Sequence, residues 1–393
     1  MHTNLLVIGA SSRFLANSAT RAGWQVTAID LFGDQDLQQV CQQTIRIGPD
    51  EYPEAIPNMA TRLPPGPVVF GGGLENHPAV LTRLAAVRVL AGTSPEILET
   101  VRQPAGLARL AAAAGWHFPE THGSARGLPT DGSFLCKPLA SAGGQGISRW
   151  LGKQPAPAGH CWQRRVIGTP LSAALLIGRD GSRLLGLCRQ FIGLPWCGPP
   201  PFGFCGGVEL PLPVGSNPLE QTLRQLTDRL AGCGLRGLVG VDFILPTTTG
   251  PQPPTPTLIE INPRPTATLE LLERRSGESL LAAHLTACGL ANPCEPVWST
   301  ARQPLWSKAV LFARTALTVD SELDQQFTRA ADRSRTQAEA GWPLLADRPA
   351  VGSRIELGRP ILTLFAAAAT PAASVLRLRR QAAAVAALLS SRK

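Results

Sequence analysis

Residues Asn4 to Gly9 form an unbroken apolar run that ends in a turn of mostly small residues, Ala10-Ser11-Ser12-Arg13. A helical pattern to Ala22 then leads to a second run, Trp24 to Asp30. An apolar run without alternation is buried on both faces, so strand, turn, helix and strand in that order predict a parallel α/β unit. Asp30 at the end of the second strand would suit dinucleotide binding. The turn, however, lacks the GxGxxG glycines that let a backbone approach a pyrophosphate, so a structural Rossmann-like unit is expected rather than a nicotinamide site.

A further strand, Pro67 to Phe70, ends in Gly71-Gly72-Gly73-Leu74-Glu75-Asn76, which reads equally as a ligand loop at a strand end or as a flexible turn. Helices are expected over Pro95 to Thr100, Pro104 to Ala114 and Leu269 to Leu285, with Gly115 stopping the second. Strands are expected over Leu238 to Leu245 and Thr257 to Ile261, joined by an exposed Pro/Thr-rich connection. From Pro304 the pattern turns to short strands, Lys308 to Ala313, Gly352 to Leu357 and Pro360 to Phe365, closing on a helix from Ala372 to Leu389.

A chain of 393 residues fits two or three sub-domains. No N-terminal signal pattern is present, and the apolar stretch Ile361 to Leu376 is broken by Pro371, so a soluble, cytoplasmic protein with no membrane partner is expected. Nine cysteines form no CxxC pair, and the six histidines are dispersed, which points away from a disulfide framework or a zinc site. The net charge of +9 comes from scattered arginines with few aromatics among them, so no nucleic-acid surface is expected. Only four of the 37 basic residues are lysines, and one of them, Lys137, ends an apolar strand.

The chemistry gathers in two places. In Leu258-Ile259-Glu260-Ile261-Asn262-Pro263-Arg264 a strand with a side-chain period of two would project Glu260 and Asn262 from one face, a pair of hard oxygen donors suited to magnesium. The same residues also read as an ordinary buried strand with a polar end. In Phe134-Leu135-Cys136-Lys137-Pro138 a lysine is followed by a small, glycine-dense loop, Ser141 to Ser148, whose main-chain N–H groups can wrap phosphate oxygens. That loop lacks the GK[ST] ending of a Walker A loop and suits a mobile lid better.

Lys137-Pro138, Gly143-Gly144-Gln145-Gly146-Ile147, Val241-Asp242-Phe243 and Glu260-Ile261-Asn262-Pro263-Arg264, in that order and spacing, resemble the ATP-grasp family over residues 90–275. The tail near Trp342-Pro343 and Ala346-Asp347-Arg348-Pro349 resembles that of its carboxylate–amine ligase members. The resemblance implies an α/β ATP-grasp fold, with α+β character in the nucleotide domain. It divides into a pre-domain at 1–100, an ATP-grasp domain at 101–295 with its lid at 138–148, and a small β-rich C-terminal subdomain at 296–393.

It also implies ATP and two magnesium ions as cofactors. Lys137 would contact the α- and β-phosphates, and the backbone of Ser141, Gly143, Gly144, Gly146 and Ile147 would cover the triphosphate. Gln163 to Val166 would form the inter-lobe hinge whose main chain pairs with adenine. Asp242, Glu260 and Asn262 would be the metal ligands, and Arg264 would support the transferring phosphoryl group. The activity implied is amide formation from a small carboxylate and an amine through an acyl phosphate, with an ATP-grasp phosphotransferase or a non-catalytic nucleotide-binding protein as alternatives. A homodimer is compatible with the resemblance; the sequence leaves assembly open.

Three positions depart from the family pattern. Gln103-Pro104 stands where many members have Asp-Lys, leaving Arg102 or Arg109 to compensate; Arg164 follows Gln163 where glutamate is common; Pro170 replaces the usual ribose-binding glutamate.

Overall fold

The computed structural model describes residues 3–153, 157–179, 181–212, 218–247, 253–290, 304–335 and 341–390. The N-terminal apolar runs become β1 (Asn4–Gly9) and β2 (Gln25–Asp30), with α1 (Arg13–Arg21) between them. After α2 (Gln35–Gln38), β3 (Gln43–Arg46), α3 (Ile56–Ala60) and β4 (Val68–Phe70), these strands form a parallel sheet in the order β3-β2-β1-β4. Strand order reverses at β1, so a crevice opens at its carboxyl end between the turns 9–13 and 71–76. Helices α4 (Pro78–Ala85), α5 (Pro95–Arg102) and α6 (Pro104–Ala113) follow, and Gly115 at φ +71° ends the last as expected.

A small antiparallel sheet, ordered β5-β8-β6-β7, comprises β5 (Thr121–His122), β6 (Phe134–Pro138), β7 (Ser148–Arg149) and β8 (His160–Arg164). Its own core is Phe134, Cys136 and Trp162.

The large sheet has eight antiparallel strands in the order β13-β12-β9-β10-β11-β14-β18-β16. It begins with β9 (Gly168–Ile177), β10 (Ser182–Ile192) and β11 (Phe204–Leu210), continues past α7 (Pro218–Gly232) through β12 (Gly237–Pro246) and β13 (Thr257–Asn262), and then passes α8 (Leu269–Ser276) and α9 (Leu280–Ala287). It resumes with β14 (Leu305–Phe312); β15 (Leu317–Thr318), α10 (Ser321–Arg335), β16 (Leu345–Ala346), β17 (Arg354–Ile355), β18 (Pro360–Ala368) and α11 (Pro371–Ser390) complete the chain order. The C-terminal strands β14, β16 and β18 therefore extend the sheet that carries β12 and β13; only β15 and β17 pair apart from it. The join at β11 is close: a Cβ on Gly206 would lie 2.1 Å from the Lys308 carbonyl oxygen.

Two expected elements change. The single helix expected over Leu269 to Leu285 is two helices, because Gly277 takes φ +77° and Ser279 caps the second by accepting the Ala282 N–H. The strand expected over Gly352 to Leu357 shrinks to Arg354–Ile355.

The N-terminal α/β unit and the large sheet are tied by a buried ion network through α8. Glu270 on α8 accepts Arg13 Nη1 and Nη2 at 2.6 and 2.9 Å and Lys308 Nζ at 2.9 Å, and Arg274 Nη2 approaches it at 3.3 Å. Three cations around one carboxylate hold its pKa well below the ordinary range despite burial.

Candidate functional site

Strand β13 supplies the site's acidic wall through an irregularity. Phe243 pairs with Leu258 while Asp242 pairs with Glu260, so Ile259 is an extra residue, a β-bulge. Leu258 and Ile261 consequently both face the core that holds Phe243 and Val241, although an unbroken alternation would put Leu258 on the face of Glu260. Glu260 and Asn262 emerge together on the other face, as expected, with Asp242 directly beside Glu260 across the ladder.

Asp242 is held in place from several sides. Gln190 Nε2 donates to its Oδ1 at 3.0 Å and Asn262 Nδ2 to its Oδ2 at 3.1 Å. Burial, and then the charge of Glu260, push its pKa up to about 6. Glu260 is open to the cleft at 38% exposure, with Arg102 Nη1 3.0 Å from its Oε1. Arg102 also donates to Asn76 Oδ1 at 2.7 Å. The structure thus brings Arg102 into the site, whereas Arg109 is exposed on α6.

Lys137 closes the opposite wall. Its Nζ donates to Gln163 Oε1 at 2.8 Å, and Gln163 in turn donates to Thr121 Oγ1 at 3.1 Å. Burial lowers the lysine pKa, while the charges of Glu260 and Asp242 pull it back up, so the ammonium lies within electrostatic reach of the carboxylate pair. Gln163 lies within β8, its main chain paired between β5 and β6; its side chain positions Lys137. Val166 falls in the short connection from the small sheet to β9. Arg164 points outward to Glu120 at 2.7 Å, and Pro170 sits on β9 opposite Ile244.

The glycine loop spans the cleft. Gly143, Gly144 and Gly146 take φ +62°, +77° and +75°, a region side chains avoid. A Cβ on Gly144 would lie 2.0 Å from the Phe202 carbonyl oxygen, so the backbone approach itself requires glycine. Phe204 N–H donates to Gly143 O at 2.9 Å, and Asn76 Nδ2 donates to Ser141 O at 3.1 Å. Gly146 packs against Pro138, and Ile147 N–H meets Gly144 O at 3.5 Å. The loop therefore touches both the β10–β11 connection and the N-terminal turn.

Arg264 reaches across to that turn. Its Nε donates to Glu75 Oε1 at 2.7 Å and its Nη2 to Asn262 Oδ1 at 3.3 Å. Lys137, Asp242, Glu260, Asn262 and Arg264 thus line one cleft between the N-terminal sheet, the small sheet and the large sheet. The sequence reading missed Gln190 as a contributor, whereas the turn that carries Glu75 and Asn76 had read as a ligand loop as readily as a flexible turn. Glu75 and Asn76 carried a signal, a polar pair after a glycine turn at a strand end; Gln190 carried none, a single amide in a strand whose burial follows no simple alternation.

This is the fold of the ATP-grasp proteins. Residues 107–268 match the family described as the ATP-grasp domain. No curated protein matches the sequence. Among solved structures, N5-carboxyaminoimidazole synthetase from Staphylococcus aureus complexed with ADP is 12% identical with a TM-score of 0.68, covering 97% of each chain. The biotin carboxylase domain of 2-oxoglutarate carboxylase from Hydrogenobacter thermophilus, in complex with Mg-ADP and bicarbonate, is 14% identical with a TM-score of 0.66, over 97% of this chain and 89% of that one. Pyruvate carboxylase from Rhizobium etli is 12% identical with a TM-score of 0.69; the match spans 97% of this chain and 37% of the carboxylase. Among the described residues no helix is long and apolar enough to cross a membrane.

Proposed function

We propose that this chain is an ATP-dependent carboxylate–amine ligase acting on small molecules. The observation that carries the reading is the Asp242–Glu260 pair, two adjacent carboxylates with Asn262 beside them and the Lys137 ammonium within their electrostatic reach.

The donor set fits magnesium. Two carboxylates and an amide oxygen are hard ligands, and the upward shift of Asp242, from burial and then from the charge of Glu260, reflects a cost of charging that a divalent cation relieves. Asp242, Glu260 and Asn262 would hold Mg²⁺, which supplies charge neutralisation at phosphate oxygens. The chain's own groups do the rest. Lys137 contributes a point charge to a phosphate chain, and the backbone of Ser141, Gly143, Gly144, Gly146 and Ile147 covers it and excludes water. Arg264 stands beside the metal seat, where a carboxylate attacking the γ-phosphoryl group would develop charge. The acyl phosphate so formed is attacked by an amine, releasing phosphate and leaving an amide. Arg102 supplies positive charge next to Glu260 in a chain that has Gln103-Pro104 where many members have Asp-Lys.

The neighbours support this reading, since they include a synthetase bound to ADP and a carboxylase domain bound to Mg-ADP and bicarbonate. The test is phosphate release from Mg-ATP over a panel of small carboxylates, with and without amines, followed by mass spectrometry of the products. A carboxylate-dependent release that yields a new amide is expected; no stimulation by any carboxylate overturns the reading.

A further inference from the structure

We infer that the cleft takes a single magnesium ion, because Arg102 and Arg264 stand as fixed cations on the oxygens that a second ion would need. The inference deepens the ligase reading and rests on it for the nucleotide; the family resemblance by itself implies two ions.

The first observation is which oxygen atoms are taken. Arg102 Nη1 lies 3.0 Å from Glu260 Oε1, while Glu260 Oε2 has no hydrogen-bond partner among the described residues. Arg264 Nη2 donates to Asn262 Oδ1 at 3.3 Å. Asp242 is met only by neutral donors, the amides of Gln190 and Asn262 and the Ser172 hydroxyl. What remains for a metal is Glu260 Oε2, the Asp242 carboxylate and the second lone pair of Asn262 Oδ1. Magnesium takes one or two carboxylates and completes its octahedron with waters and phosphate oxygens, so these donors serve one ion and are too few for two. Among the described residues no group of three His, Cys, Asp or Glu side chains could hold a metal ion.

The second observation is that both guanidinium groups are anchored from behind. Arg102, the last residue of α5, is 11% exposed; its Nη2 donates to Asn76 Oδ1 at 2.7 Å and its Nη1 to the Ile261 carbonyl oxygen at 3.4 Å. Arg264 is 12% exposed, its Nε donating to Glu75 Oε1 at 2.7 Å and its Nη1 to the Pro265 carbonyl oxygen at 3.1 Å. A Cβ on Gly72 would lie 3.2 Å from Arg264 Nη2, so the N-terminal turn also packs against it. Swinging either group aside would break these bonds.

A magnesium ion on Glu260 Oε1 would sit about 2.1 Å from that oxygen, against a guanidinium nitrogen 3.0 Å from the same atom. Like charges so close repel strongly. The sequence around Arg102 agrees: Gln103-Pro104 follow it where many family members have Asp-Lys, so the charge here comes from a planar, anchored fork rather than from an ammonium on a flexible stem.

The probe is Mn²⁺, which accepts the same oxygen ligands, titrated into the full chain with and without ADP while unbound Mn²⁺ is counted by electron paramagnetic resonance. One Mn²⁺ per chain is expected under both conditions. Arg102→Met is expected to bind Mn²⁺ about tenfold more tightly without ADP, to take a second Mn²⁺ with ADP, and to bind metal-free ADP about tenfold more weakly. Opposite signs for cation and anion separate this role from a structural one, since a loosened site would weaken both. Arg102→Lys keeps the charge and should keep one ion. Melting temperature reports folding; should Arg102→Met not fold, Arg102→Gln, neutral but able to hydrogen-bond, carries the same expectations. Two Mn²⁺ per parent chain with ADP, no Mn²⁺ binding under either condition, or Mn²⁺ affinity unchanged or weaker in the folded neutral variant overturns the inference. A parent that binds no ADP sinks the ligase reading instead, and the ADP-free Mn²⁺ titrations then decide the inference alone.

Discussion

Asp242 and Glu260 are direct partners across the β12–β13 ladder, and the charge of Glu260 adds to burial in making Asp242 harder to ionise. Like charges opposite one another in a sheet are destabilising, so a pair kept there is kept for something that binds between them.

That relationship predicts a magnesium effect that depends on pH. The folded pKa of Asp242, about 6, lies above the unfolded value, so metal-free stability is lost as pH rises through it. Mg²⁺ should therefore raise the melting temperature more at pH 7.5 than at pH 5. Asp242→Asn should remove the shift and lower kcat on the order of 100-fold. A magnesium shift of equal size at both pH values, or one that survives in the variant, would count against these ligands.

Lys137 acts as a point charge steadied by Gln163 Oε1 at 2.8 Å. Lys137→Met should raise the KM for ATP about tenfold or more, and Lys137→Arg should not restore it, because a planar guanidinium is a poor substitute for a compact ammonium. Steady-state kinetics on both variants decide this; full activity in either one refutes the role.

Glu270 joins Arg13, Lys308 and Arg274 in the interior. Glu270→Ala should cost about 3–5 kcal/mol in urea unfolding at pH 7, since it strands buried cations. Its folded pKa is depressed, so the stabilisation is complete above the unfolded value of about 4.3 and fades as pH falls below it. A variant as stable as the parent at pH 7 would show that the cluster contributes nothing net.

His284 is buried and neutral, its Nδ1 accepting the Leu238 N–H at 2.8 Å and its Nε2 facing the Ala91 carbonyl oxygen at 3.1 Å. Burial drops its pKa to about 4. As pH falls from about 6.5 towards that value, the unfolded chain takes up a proton that the folded chain refuses, so stability declines through this window. The urea midpoint should fall between pH 7 and pH 5, and the fall should be shallower in His284→Gln. An identical slope in parent and variant would assign the effect elsewhere.

How much of this was legible in the sequence depends on the range of the interaction. Strands β1 and β4 were visible because runs buried on both faces are continuous, β2 because its apolar residues follow a helical pattern and a turn, and Glu260 and Asn262 because strand alternation is local. The division of the expected 269–285 helix was written in Gly277 and Ser279, a left-handed stop followed by a cap, and was overridden by the apolar periodicity around them. The amphipathic helices α7 and α10 went unread beside stretches dense in turn residues. Gln190 on Asp242, Arg264 on Glu75 and Arg13 on Glu270 span 52, 189 and 257 residues of chain, and no local pattern encodes such pairings.

The extra residue at Ile259 divides its strand into two halves of opposite phase. Upstream, the phase is set by what Leu258 must cover; downstream, by what Glu260 and Asn262 must meet. A deletion at Leu258 or Ile259 would be absorbed at the joint, leaving a regular ladder with the same residues facing the cleft. A deletion at Ile261 would turn Asn262 into the core. The strand can therefore drift in length on one side of that joint without disturbing the other, so that insulation of core from chemistry is obtained here with a single residue.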